Sequence, residues 1–203
     1  MKNKIFLIVL MGLSSLIYVP NSNAQNNKKS DRFAWVNLGV GQYAVSGSTD
    51  RSATAFTGYD GLLTFGITFS QQLNNHLFSV RILNSKELDI IFEPDDPQVS
   101  FLDMGVLYGR CLKMNNLRAS ASVGIGMVRF VDRGKLVSTR GGFSLGGNKY
   151  EKVVNKGIGI PLSGQIFIAA FDSFGIGLYA FANFNKYKSG SGFLLCLQFG
   201  RLR

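Results

Sequence analysis

Histidine is nearly missing from this sequence: His76 is the only one among 203 residues. That scarcity removes the usual base of nucleophilic catalysis and the commonest zinc ligand from all but one position. Cysteine is limited to Cys111 and Cys196, too few for a disulfide scaffold. Proline occurs four times, so few bonds of a hydrogen-bonded ladder are lost to it. Acidic residues are also few, 12 against 22 Lys and Arg, for a formal net charge of +10. A basic surface suits anionic partners such as lipopolysaccharide phosphates or nucleic acid. After Gln25 every apolar stretch is broken within a few residues by Gly, Ser, Asn or a charge, which excludes a membrane-spanning helix there. Glycine and phenylalanine, with 24 and 17 residues, are what the chain has in abundance.

The opening segment reads as an address rather than as structure. Lys2 and Lys4 form a basic start, and Ile5 to Val19 an apolar run broken by Gly12, Ser14 and Ser15. Pro20 and the small-residue site Ser22-Asn23-Ala24 follow, and that order is a secretory signal peptide. Cleavage is expected after Ala24, with 25–31 a short N-terminal segment ahead of one domain over 32–203. The mature chain then keeps 20 basic and 12 acidic residues, about +8. Export argues against nucleic acid as the partner.

Beyond the signal, eight stretches alternate apolar and small or polar residues with period two, the mark of strands with one apolar face. The first, 32–42, sets Ala34, Val36, Leu38 and Val40 against Trp35, Asn37, Gly39 and Gly41. The second, 61–71, sets Leu63, Phe65, Ile67 and Phe69 against Thr64, Gly66, Thr68 and Ser70. In the third, 76–84, Phe78, Val80 and Ile82 oppose Ser79 and Arg81. In the fourth, 101–113, Leu102, Met104, Val106 and Tyr108 oppose Asp103, Gly105 and Gly109. The fifth, 117–131, sets Ala119, Ala121, Val123, Ile125 and Met127 against Arg118, Ser120, Ser122, Gly124 and Gly126. The sixth, 157–171, sets Ile158, Ile160, Leu162, Ile166 and Ile168 against Gly159, Ser163 and Gln165, with Pro161 predicting a bulge or a local gap. The seventh, 173–185, carries Phe174, Ile176, Leu178 and Phe184, and the eighth, 192–201, carries Phe193, Leu195, Leu197 and Phe199.

The second face decides the class. A soluble sandwich covers its outside with charge, whereas here one face is aliphatic and aromatic and the other is Gly, Ser, Thr, Asn and Gln. Such a pair of faces suits a barrel with its apolar side on lipid and its small side lining a narrow lumen. Short turns near 73–75, 114–116 and 171–173 alternate with longer connections at 43–60, 85–100, 132–156 and 186–191. Brief periplasmic turns and longer outside loops give this alternation. The expected fold is all-β: an eight-stranded antiparallel up-and-down transmembrane β-barrel. Phe69, Phe174 and Phe199 fall near the predicted periplasmic ends, and Phe184 and Phe193 near the external ends, where aromatic girdles belong.

With these strands, the signal ending Ser22-Asn23-Ala24-Gln25, the block 157–165 (GIGIPLSGQ) and the ending 192–203 (GFLLCLQFGRLR), the chain resembles the small eight-stranded, porin-like outer-membrane β-barrel family. The likeness is one of pattern over nearly the whole mature chain. It implies location in the cell outer membrane and a terminal strand read by the barrel-assembly machinery, with Leu195, Leu197 and Phe199 as that assembly signal. The chain departs from the family in continuing four residues past Phe199. Expected partners are outer-membrane lipid and lipopolysaccharide, with no nucleic acid, and the expected state is a monomer. The expected function is non-enzymatic: a lumen filled by side chains, and external loops serving envelope integrity, adhesion or surface binding. A lipid-modifying barrel enzyme and a secreted or periplasmic lipid-binding barrel are the alternatives.

No catalytic, cofactor or metal constellation stands out. Gly142-Phe-Ser144-Leu-Gly146 matches a nucleophile elbow, but it lies in a Gly-rich loop far from His76. Gly39-x-Gly41 and Gly175-x-Gly177 are read as lumen glycines rather than dinucleotide loops, as no helix follows. Glu87, Asp89, Glu93, Asp95 and Asp96 form an acidic loop, read as solvated in preference to a cation site. Arg129, Arg133, Lys135, Arg140, Lys149, Lys152 and Lys156 surround the third long loop and could contact lipopolysaccharide, against Asp132 and Glu151. Arg81 and Asp103 face the lumen at matching heights and are expected to form an ion pair, with Arg118 lower and solvated. Cys111 and Cys196 are expected across the lumen, unbonded. His76 is expected at the surface of a turn.

Overall fold

The computed structural model describes residues 32–45, 61–87, 97–138 and 149–202. Expectations for residues 1–31, for Asp89, Glu93, Asp95, Asp96 and Arg140, and for the Gly142–Gly146 motif fall outside the described residues. Within them the chain forms eight strands: β1 Arg32–Val45, β2 Gly61–Leu73, β3 His76–Lys86, β4 Ser100–Met114, β5 Leu117–Ser138, β6 Lys149–Ala169, β7 Phe174–Asn185 and β8 Gly190–Arg201. Each pairs antiparallel with its sequence neighbours, and β1 pairs with β8 to close the barrel. Closure leaves no edge strand in the wall, so nearly all of its backbone pairs on both sides, the condition that a membrane-spanning sheet must meet.

One end of the barrel carries the tight turns. Asn74 and Asn115 sit there with φ of 55° and 53°, a conformation asparagine tolerates better than most residues. At the other end β5 and β6 run far past their neighbours, with 22 and 21 residues against 11 to 15 for the other strands. A spanning strand needs roughly 9–11 residues. The second half of this hairpin therefore stands clear of the wall. This corrects the expectation of a loop over 132–156: Asp132 pairs with Val153 and Arg133 with Lys152, and irregular pairing continues to Ser138 and Lys149. The alternation signal fails here because both faces of a projecting hairpin are wet.

The expected gap at Pro161 is present without a bulge. Pairing between β5 and β6 lapses between Val123↔Leu162 and Gly126↔Gly159, yet the register is the same on both sides. The missing proline N–H costs a ladder bond and does not shift the strand.

Side chains divide as the period-two pattern requires. Phe65, Ile125, Ile158, Ile166 and Leu195 point outward and are exposed, while Thr64, Thr68, Arg81, Asp103, Gln165 and Gln198 are buried inside. The interior is less polar than the sequence suggests. One apolar cluster, around Tyr43, Phe101, Phe130, Phe181 and Leu194, lies toward the hairpin end. Another, around Phe33, Trp35, Leu77, Phe167 and Leu202, lies toward the tight-turn end. The inward glycines let these groups cross the lumen: a Cβ on Gly66 would lie 2.5 Å from Leu194 Cδ1.

Candidate functional site

Three places hold most of the charged residues singled out from the sequence. The first is the middle of the lumen. Arg81 on β3 and Asp103 on β4 are held on neighbouring strands, and Arg81 Nη2 donates to Asp103 Oδ2 at 2.6 Å with both side chains fully buried. Arg81 Nη1 donates across the lumen to the Leu162 carbonyl at 2.9 Å. The guanidinium thus ties β3 to β4 and to the opposite wall. Asn37 Nδ2 donates to Gln165 Oε1 at 3.1 Å, a second bond across the lumen. Above this belt the Tyr43 ring stacks between Phe101 and Phe181, with centroids at 4.6 and 5.8 Å. Lys188, from the β7–β8 connection, meets Asp132 at 2.5 Å and lies 4.7 Å over the Phe130 ring, so a cation sits over this aromatic mouth.

The second place is the tight-turn mouth, and here Arg118 corrects the sequence reading. It is buried rather than solvated. Its Nη1 donates to Gln72 Oε1 at 2.9 Å, its Nη2 to the carbonyl of Leu202, and its Cζ lies 3.9 Å over Phe33. The aromatic rings and the returning chain replace water around the charge. Gly200, with φ of +146°, lets the chain bend at the end of β8. The Gly200 and Leu202 amides then donate to the carbonyls of Ser173 and Asp172. Leu202 packs fully buried beside Phe33, Trp35 and Phe167. Extending the alternation of β8 by two residues would have pointed Leu202 inward, because Leu194, Cys196 and Gln198 share that face.

The third place is the projecting hairpin. Arg129 stands opposite Lys156, and Arg133 opposite Lys152. Arg129, Lys135, Lys152 and Lys156 are exposed. Arg133 lies 3.0 Å from Glu87. Lys149 belongs to β6 rather than to a loop. Among the described residues, β6 is paired with β7 only from Gly159 onward, so Lys149–Ile158 has one open side.

Leu195, Leu197 and Phe199 face outward from β8, opposite Val40, Leu38 and Val36 on β1 and Leu178, Ile176 and Phe174 on β7. They form the closing seam. Phe174 and Phe199 meet at 5.4 Å, and Phe78 and Tyr108 at 5.2 Å, a band of outward rings toward the tight-turn end. His76 Nδ1 and the Tyr108 hydroxyl are 2.6 Å apart at the surface. Cys111 and Cys196 are free and buried, in different apolar clusters. Among the described residues no group of three or more His, Cys, Asp or Glu could hold a metal ion.

No protein-family model matches the sequence, and no curated protein does. Solved structures do match the fold. Neisserial surface protein A superimposes with a TM-score of 0.52 at 10% identity, over 85% of this chain and 97% of that one. The chain has the fold of the small outer-membrane β-barrels. The attachment invasion locus protein Ail of Yersinia pestis, in complex with the heparin analogue sucrose octasulfate, gives 0.53 at 11% identity, over 84% and 99%.

Proposed function

We propose that this protein is a non-enzymatic barrel of the outer membrane, with a lumen closed by its own side chains. On this reading its projecting β5–β6 hairpin binds phosphate groups at the outer-leaflet surface, those of lipopolysaccharide foremost. One observation carries the reading: two rungs on the same face of the hairpin, separated by the Val131–Val154 rung, pair cation with cation, Arg129 with Lys156 and Arg133 with Lys152. Like charges directly opposite each other on a sheet are destabilising unless an anion lies between them. Glu87 answers one of the four, and the rest stand where the hairpin leaves the wall. Arginine and lysine at that level gain roughly 1 kcal/mol each from an anionic surface. Binding of a sulfated sugar analogue by Ail, a barrel of the same fold, is support in kind. The exposed aliphatic belt supports the membrane setting, since a soluble domain rarely leaves such a surface open.

Binding of purified lipopolysaccharide to the detergent-solubilised barrel tests this. The variant Arg129→Gln/Lys156→Gln is expected to weaken binding roughly tenfold and to flatten its salt dependence. Unchanged affinity for the variant would overturn the reading. The membrane setting is tested separately, by fractionation and by the gel mobility of boiled against unboiled samples.

A second reading is favoured by the open side of β6. Its backbone could take an extended segment of another protein as an added strand. The lysines at 149, 152 and 156 oppose this, because charged edges are how sheets avoid such pairing.

A further inference from the structure

A groove of about 630 Å³ opens in the outward wall toward the tight-turn end. Small Ala34 lies on its floor between the larger Phe69, Phe78 and Phe199, and Val36 and Val106 continue it along the wall. The volume is that of a ligand site rather than of the ripple between neighbouring side chains. Its lining is apolar but for one outward polar side chain, Gln71, which stands between Ala34 and Phe78 in the register. The Gln71 carboxamide has no protein partner among the described residues, although it points from a wall that is otherwise aliphatic and aromatic. Exposed Arg201 is the cross-strand neighbour of Ala34, and exposed Arg32 is two residues before it on the same face. An apolar trough, an amide donor at its mouth and two guanidinium groups at the rim thus follow one another from the wall toward the tight-turn end.

We propose that this groove is the seat of one anionic glycerophospholipid of the periplasmic leaflet. Its acyl chain lies along Ala34, Val36 and Phe69, its ester carbonyl accepts from Gln71, and its phosphate meets Arg201 and Arg32. Charge chooses this occupant over a second copy of the barrel, whose same rim would bring arginine against arginine. An acyl chain also fits a trough with a single small residue at its floor, where a flat partner would leave a void. The proposal rests on the membrane setting of the barrel and is independent of the hairpin's ligand.

Native mass spectrometry of the intact barrel, released from nanodiscs of phosphatidylethanolamine and phosphatidylglycerol, tests it. The expected result is one phosphatidylglycerol retained per barrel. Ala34→Trp, which fills the trough from a lipid-facing position, should abolish retention. Arg201→Gln should reduce it about fivefold, the loss of one interfacial cation. Leu38→Trp, outward on the same strand but outside the groove, should leave it unchanged. Heat-dependent gel mobility shows that each variant is a folded barrel. No retained lipid on a folded wild-type barrel would overturn the site, as would equal loss in Leu38→Trp, or a dimer that Ala34→Trp breaks. A chain found wholly in the aqueous fraction would instead overturn the membrane setting, and the site with it.

Discussion

Among the described residues the lumen buries two arginines and treats them differently. Arg81, in the middle, has its charge met by the Asp103 carboxylate at 2.6 Å, with the Leu162 carbonyl on the far wall as a second acceptor. Arg118, near the tight-turn mouth, lies on the Phe33 ring and gives its hydrogens to the Gln72 amide oxygen and the Leu202 carbonyl. The first arrangement links strands that are already neighbours and reaches across to β6. The second links β5 to β2 and to the chain that follows β8, so it holds a closing segment in place. A buried guanidinium can therefore stiffen a barrel wall or fasten a stopper, and its acceptors decide which.

The largest effect that would sharpen this contrast is expected at the middle of the lumen. Arg81→Met alone leaves the Asp103 carboxylate buried without its cation, and should cost about 3–5 kcal/mol in denaturant unfolding from micelles. Adding Asp103→Leu should restore much of that loss, because the desolvated charge goes with it. If the double variant is no more stable than the single, the pair is not the organising contact described here. Next comes the stopper. Leu202→Ala should cost about 2–3 kcal/mol, toward the low end for a buried leucine because a segment past the last strand can settle inward. A change within error would mean that Leu202 does not plug the mouth.

A smaller loss, about 1–3 kcal/mol, is expected for Arg118→Lys, since a point charge cannot reproduce the fork to Gln72 and Leu202 or the stacking on Phe33. Full stability in that variant would reduce Arg118 to a mere charge and dissolve the difference between the two sites. The smallest effect lies outside the lumen. Glu87→Gln removes the partner of Arg133 on the partly exposed hairpin base, and should cost no more than about 1 kcal/mol, falling further in high salt. A larger cost there would show that the hairpin base is packed as tightly as the lumen.

What is legible in the sequence follows one rule. Wherever a strand has an apolar outer face on one side and lumen on the other, residues alternate, and the facing of Leu38, Ile67, Ile125 and Leu195 follows from that alone. The rule lapses beyond the wall. In 132–138 and 149–156 charges and β-branched residues share both faces, so the hairpin looked like a loop. It also says nothing about what inward side chains touch. Tyr43, Phe101 and Phe181 come from β1, β4 and β7, and only closure brings their rings into one stack.

By itself, the order of residues determined the number of strands, the side that residues within the wall face and the end that carries the tight turns, because a period of two and a turn signal are local properties of the chain. The tertiary structure alone decided that Arg118 is buried, that Leu202 returns to the mouth, that four basic residues stand in two opposed pairs and that a groove opens at Ala34. Those depend on register and closure, which bring together residues separated by up to the whole length of the barrel, and no local pattern encodes them.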